Sequence, residues 1–156
     1  MTKAAVLPTS RHAVPNVAGV SRLRGLADQL GRATPGARIE LIRAGMPAEL
    51  VGDIAEAFDI SKQQVYGVLH IPASTGARLT KENKTLGVAE SERVARIVEI
   101  TRAAVEAFGD ERKAKRWLTS PSRSFNGATP FSMLDTEIGA QEVRRVLVVI
   151  QYGGVF

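Results

Sequence analysis

Ser74, Arg78 and Lys81 stand at i, i+4 and i+7, with Thr75 beside Ser74. On a helix that spacing puts the three on one face. An arginine so placed can grip a guanine edge with two hydrogen bonds, and the hydroxyls can reach bases or phosphates. Lys62 and Gln63 head the preceding helix, where a helix N-terminus and a cation together suit a phosphate. Lys84 follows just beyond Lys81. These groups suit the holding of a polyanion rather than the making of bonds.

The rest of the chain offers little for catalysis. It has no cysteine, which removes disulfides, thiolate chemistry and sulfur-bound zinc. His12 and His70 are its only histidines and lie far apart in sequence, so no metal centre is expected. Gly19, Gly25 and Gly31 lack the spacing and the following Lys-Ser/Thr of a phosphate-cradling loop. His70 has no nearby Ser or carboxylate in sequence that suggests a triad. The pairs Asp53/Glu56 and Glu90/Glu92 read as solvated helix faces. The sequence therefore points to a protein that is not an enzyme and needs no cofactor.

The elements that must position these residues are helical almost throughout. Thr34-Pro35 is an N-cap followed by proline at the first helical position. Ile39, Leu41 and Ile42 give that helix an apolar face, and Gly45 can close it with positive φ. Pro47 is expected to start the next helix. There Val51, Ile54, Ala55 and Phe58 make the buried stripe, with Glu49, Asp53 and Glu56 on the wet side. Ser61-Lys62-Gln63-Gln64 is a capping box. The helix it opens ends at His70-Ile71-Pro72, because proline cannot continue it. A further helix is predicted over 73–81. Helix, tight break, helix is the outline of a helix-turn-helix, a unit whose second helix enters the major groove. A helical hairpin with a polar outer face gives the same outline.

After a turn at 83–87, a long helix is predicted over 89–108, stopped by Gly109. Asp110 caps a short helix whose inner side is Ala114, Trp117 and Leu118. Residues 119–128 read as a loop. Thr129-Pro130 opens a turn carrying Phe131, Met133 and Leu134, and Thr136 caps the last helix. Its inner face is Val143, Val146, Leu147 and Ile150, although Val146 to Ile150 is β-branched enough for a strand. There is no strand–helix alternation, internal repeat or long heptad run, so the fold class is all-α.

The composition fits a globular chain of 156 residues with 44% apolar and 24% charged residues. No apolar run approaches the roughly 18 residues of a membrane span. Residues 1–19 have no continuous apolar core and are not read as a secretory signal, so the expected location is the cytoplasm. The net charge is +5, distributed unevenly. Lys3, Arg11, Arg22, Arg24 and Arg32 stand against Asp28 alone in the first 36 residues. Lys62, Arg78, Lys81 and Lys84 stand against Glu82 in 61–87. Clustered basic groups are the footprint of a polyanion, though they also serve solubility alone. At the other end, Tyr152 and Phe156 flank Gly153-Gly154-Val155. Such a tail either folds back onto its own core or carries its rings into a cleft on another protein.

Taken in order, several pieces resemble the toxin-binding domain of Xre/MbcA/ParS-type antitoxins. They are Phe108-Gly-Asp-Glu-Arg-Lys-Ala-Lys-Arg-Trp-Leu118, Pro121, Gly127-Ala-Thr-Pro130 with Leu134, Thr136-Glu-Ile-Gly-Ala140, Val143 and Ile150-Gln-Tyr-Gly153. Upstream, Leu69-His-Ile-Pro-Ala-Ser-Thr75 with Arg78 is similar to the family's Xre-like helix-turn-helix. The resemblance runs from about Thr34 to Tyr152. Residues 1–33, outside the resemblance, are read as a flexible basic arm; the resemblance implies a helix-turn-helix unit over 34–87 and a toxin-binding unit over 88–156. It further implies a type II antitoxin that represses its own operon and covers the cleft of a RES-domain, NAD-attacking toxin with its C-terminal end. Thr75 and Arg78 match the DNA-contact motif. Ile150, Tyr152, Gly153 and the following Gly154, Val155 and Phe156 match the end that faces the toxin. Trp117, Leu118, Pro130 and Leu134 match as scaffold. The family's turn glycine is here His70, its cap serine Pro72, and its leucine after Thr75 is Gly76, which weakens that helix by about 1 kcal/mol. Repressors of this kind read palindromes as dimers, so a homodimer is expected. A stand-alone regulator without a toxin, and a toxin blocker that has lost DNA binding, are the competing readings.

Overall fold

The structure, a computed structural model, describes residues 17–153. Eight α-helices lie among the described residues: α1 Val17–Arg32, α2 Pro35–Ala44, α3 Leu50–Phe58, α4 Lys62–Leu69, α5 Ala73–Lys81, α6 Val88–Phe108, α7 Glu111–Thr119 and α8 Glu137–Gln151. Short 3-10 turns occupy Arg123–Phe125 and Ser132–Asp135. No strand forms among these residues; the nearest thing is an isolated bridge between Pro47 and Thr85. The chain is all-α, as its periodicity predicts.

The capping residues act where the sequence places them. The Thr34 hydroxyl accepts from the Ala37 N–H at 3.3 Å. Ser61 Oγ accepts from the Gln64 N–H at 3.2 Å, and Gln64 Oε1 accepts from the Ser61 N–H at 3.0 Å. Asp110 and Thr136 cap α7 and α8 in the same way. Gly45 and Gly109 end α2 and α6 at positive φ.

The central element is α6. Val94, Ile97, Ile100 and Ala104 are buried along it, with α1, α2, α4, α7, α8 and the 132–135 turn packed around it. Ser91, itself fully buried, accepts a hydrogen bond from the Met46 N–H at 2.8 Å. Arg38 and Glu99 pair across α2 and α6. Phe58 of α3 meets Phe131 at 5.2 Å between ring centroids. Trp117 sits between Phe108 and Phe125, in the scaffold role expected of it. One contiguous core runs from Leu30 to Leu147.

The structure departs from the sequence expectations in four places. Residues 17–32, assigned to the arm, form α1, which packs on α3 and α6; residues 1–16 of that arm lie outside the described residues. The helix expected from Pro47 begins at Leu50, after a turn at 48–49 that follows the bridge to Thr85. Asp53, expected on the wet side of α3, is buried. Its oxygens accept from Arg22 Nε and Nη2, both at 2.7 Å. The cause is α1, which covers that face of α3 and brings the guanidinium to the carboxylate as a bidentate partner. Finally, Ile39, expected on the apolar face of α2, is exposed, and no residue of that helix is fully buried. Val146–Ile150 is helical as read, with Val143 and Leu147 burying one side of α8.

Gly76 shows how a weak helix former becomes a requirement. A Cβ at this position would lie 2.1 Å from Cε1 of Tyr66. The Tyr66 ring is buried against α5 in the space that a side chain at 76 would need, and burial raises its phenol pKa. Gly76→Leu should therefore overpack the α4–α5 contact and cost about 1–3 kcal/mol. Gly76→Leu combined with Tyr66→Ala should recover most of that loss in thermal melts. Full additivity of the two substitutions would show that the ring and the glycine do not compete for one space.

Candidate nucleic-acid and partner interfaces

The turn between α4 and α5 is a Schellman motif. His70 adopts φ 57° and ψ 40°, and the Ile71 N–H donates to the Tyr66 carbonyl at 3.1 Å. Ile71 is buried beneath it, the apolar contact that usually accompanies such a motif. The left-handed backbone explains why a glycine suits this turn. Histidine adopts it at a cost of order 1 kcal/mol. Pro72 follows at φ −57° and ψ 134°, in the N-cap position but without a capping side chain.

Beyond the turn, Ser74, Ala77, Arg78 and Lys81 of α5 are exposed, and Thr75 is half-buried. Lys62 and Gln63 are exposed at the start of α4. The expected face is therefore open, but its charges are not all free. Arg78 Nη1 donates to Glu82 Oε2 at 3.1 Å, and Lys84 Nζ lies 2.8 Å from the same oxygen. The Lys84 ammonium, assisted by Arg78, holds the Glu82 carboxyl below its usual range. Two of the expected phosphate or base contacts thus converge on one carboxylate. Lys62 and Lys81 form no ion pair with the described residues.

The C-terminal unit is built on tight backbone approaches. A Cβ on Gly139 would lie 2.0 Å from the Met133 carbonyl oxygen, which accounts for glycine in the Thr-x-x-Gly-Ala phrase. The Phe131 N–H donates to the Leu118 carbonyl at 2.8 Å. Arg96, almost fully buried, donates to the Leu134 carbonyl at 3.1 Å and lies 3.2 Å from Glu137. Arg93 donates to the carbonyls of Leu69 at 3.2 Å and Asp135 at 3.4 Å. His70 Nε2 stands 3.5 Å from Asp135 Oδ2. The end of α4 and the 132–135 turn are thereby tied to one another through α6.

Ile150 is half-buried in α8, and Gly153 is exposed at φ +80°. Tyr152 is 82% exposed and does not fold back onto the core. Gly154, Val155 and Phe156 lie outside the described residues. Sequence reasoning missed the outer side of α8, where Ile138, Val148 and Val149 are exposed with Tyr152. The signal was available in Val146-Leu-Val-Val-Ile150, which is apolar all round the helix. Among the described residues no cluster of metal-ligating side chains is found, and no helix is long and apolar enough to cross a membrane.

A helix-turn-helix joined through a shared long helix to a compact helical unit defines the class, and comparison with known proteins gives the family. Residues 37–99 match the model of the antitoxin Xre-like helix-turn-helix domain. Residues 103–153 match that of the antitoxin Xre/MbcA/ParS C-terminal toxin-binding domain. An antitoxin Xre of Pseudomonas putida is 40% identical over 83 residues, which are 53% of this chain and 52% of that protein. An antitoxin Xre of Photorhabdus laumondii is 32% identical over 114 residues, 72% of this chain and 77% of its own length. A "Prs ADP-ribosylating antitoxin" of Sphingobium sp. strain YBL2 is 31% identical over 133 residues, 80% of this chain and 84% of its own. The chain belongs to the Xre antitoxin family.

The convergence on Glu82 generates a test. Glu82→Gln releases Arg78 and Lys84 and adds one net positive charge to the α5 end. If this face meets DNA, the substitution should tighten binding several-fold at low salt, with a steeper salt dependence. Electrophoretic titration at two ionic strengths reads it. Unchanged affinity at both would remove Arg78 and Lys84 from the contact.

Proposed function

We propose that this protein is the antitoxin of a type II toxin–antitoxin pair. In this reading it neutralises a RES-domain toxin that consumes NAD, and it binds its own operator as a homodimer to repress the operon. It works in the cytoplasm, catalyses no reaction and uses no cofactor. DNA is met by Lys62, Gln63, Ser74, Thr75, Arg78, Lys81 and Lys84. The toxin is met by the C-terminal end, from Ile150 and Tyr152 onward.

The observation that carries the reading is the state of that end. A tail that served only to close its own core would bury its ring, yet Tyr152 projects from the last turn of α8. A buried aromatic anchor contributes heavily to an interface, and an exposed one invites it. The family match over residues 103–153 supports the same assignment.

Two variants of the toxin chemistry follow. The relative named "Prs ADP-ribosylating antitoxin" aligns over 80% of this chain, which supports, as a second variant, a toxin that transfers ADP-ribose rather than one that only degrades NAD. Both would be blocked by the same occlusion. The convergence of Arg78 and Lys84 on Glu82 favours a second reading, a toxin blocker with weakened DNA binding.

The product of the adjoining gene, expressed alone, should arrest growth and either deplete NAD or label a cellular protein with ADP-ribose. Co-expression of this chain should restore growth. Removing residues 152–156 should leave the helical content unchanged and abolish the rescue; rescue by the shortened chain would overturn the role of the tail. Arg78→Ala should weaken operator binding about tenfold or more without touching rescue. An operator affinity unchanged by Arg78→Ala would favour the reading without DNA contact at α5.

A further inference from the structure

A pocket of about 230 Å³ lies where α1 meets α3, α6 and α7. Leu23 and Ala27 of α1, Ile54 and Phe58 of α3, and Ile97 and Val105 of α6 line it. Ile54 and Ile97 are fully buried, so the pocket reaches the core. Protein interiors leave few voids larger than a water molecule. Water finds few hydrogen-bond partners against apolar walls, and such spaces take up apolar molecules instead; one of about 150 Å³ holds benzene. This one is larger and elongated. Its lining runs from Val20 to Ala27 along α1 and from Ile97 to Val105 along α6, about 10–12 Å at 1.5 Å per residue. That shape suits a linear chain of about eight carbons better than a flat ring. A partner helix, about 10 Å across with its side chains, is too thick to enter, so the occupant is a small molecule.

The charged groups of the pocket decide the chemistry of that molecule. Arg24, Arg102 and Lys115 stand there with a single carboxylate, Glu111. Arg24 Nη2 donates to Glu111 Oε2 at 3.0 Å, and Lys115 Nζ lies 2.7 Å from Glu111 Oε1. Two cations thus share one anion. Arg102 has only a loose pair on its own helix, with Glu106 at 4.0 Å. A carboxylate arriving at this rim meets guanidinium donors that are incompletely paired, whereas an ammonium meets three charges of its own sign. The pocket also depends on α1, which lies outside both matched segments, 37–99 and 103–153. α3 belongs to the first segment and α7 to the second, so a molecule held here touches α1 and both units.

We propose that the pocket beneath α1 is a binding site for a small amphiphilic carboxylate, a linear acyl chain of about eight carbons with its head group at Arg24 and Arg102. The chain lies among Leu23, Ala57 and Ile97, and Glu111 keeps Lys115 as its partner when Arg24 turns to the ligand. A molecule that binds only the folded chain stabilises it according to its occupancy, and this one fastens α1 to the rest of the fold. The site is separate from α5 and from the end of α8, so it stands whether or not the chain is the antitoxin proposed above.

The test uses the full chain and three probes of one chain length, octanoate, octanol and octylamine, with binding followed by calorimetry and by methyl NMR. Octanoate should saturate a single site with a Kd of about 0.1 mM, raise the melting temperature and shift the methyl signals of Leu23, Ile54 and Ile97. Octanol should bind about tenfold more weakly and octylamine more weakly still. Ala57→Leu fills the pocket from α3 and should weaken octanoate about thirtyfold or more while the chain stays folded. Ala27→Leu fills it from α1 and gives the same reading if the first variant does not fold. Arg24→Gln with Arg102→Gln, both at exposed side chains, should reduce octanoate to the affinity of octanol. Octanoate bound as tightly by a folded pocket-filling variant as by the parent would overturn the proposal. So would the absence of saturable octanoate binding, methyl shifts confined to other parts of the chain, or equal affinity of the parent for octanoate and octanol.

Discussion

The two units of this chain are held as one body by arginine side chains that satisfy carbonyl groups across their junction. A helix end leaves carbonyls without an intrahelical partner. Arg93 donates to one of these, at Leu69, and also to Asp135 in the 3-10 turn of the C-terminal unit. Arg96, buried one turn further along α6, donates to Leu134. Leaving a buried acceptor such as the Leu134 carbonyl unpaired costs about 1–3 kcal/mol, and together with the shared apolar core this keeps the units from separating freely. The apolar faces of α6 lie on either side of these contacts. The turn that orients α5 and the turn that starts α8 thus share one frame.

That frame explains how the departures from the family pattern are tolerated. His70 accepts a left-handed backbone that a glycine would take without strain, and its ring stands beside Asp135. Gly76, a poor helix residue, is required by the Tyr66 ring that lies where its side chain would be. Pro72 gives up a capping hydroxyl but holds the extended backbone that opens α5. Each change is local, and the course of α4, turn and α5 survives all three.

Much of the fold was legible because it is written in local chemistry. Capping residues at Thr34, Ser61, Asp110 and Thr136, positive-φ glycines at 45 and 109, and the stripe Val51–Phe58 depend only on neighbours in sequence. What escaped depends on distant ones. α1 has charges and glycines that read as an arm, and it is helical on a surface provided by α3 and α6. Asp53 looked solvated because Arg22 is 31 residues away. The pairing of Arg78 and Lys84 with Glu82 was within reach of sequence spacing, since all three lie within seven residues. The outer face of α8 was visible as an apolar run but was read only for its inner side. A helix that is apolar all round asks for cover on both faces, and the chain covers one.

The central claim is that one rigid chain meets two partners through separate surfaces, α4–α5 for DNA and the end of α8 for a protein. Hydrogen exchange of the full chain, free and with each partner in turn, tests it most directly. Operator DNA should slow exchange over 62–81, and the toxin should slow it over 150–153, while α6 stays protected in every state. Protection by the toxin confined to α1–α3, with α8 exchanging as in the free chain, would contradict the account.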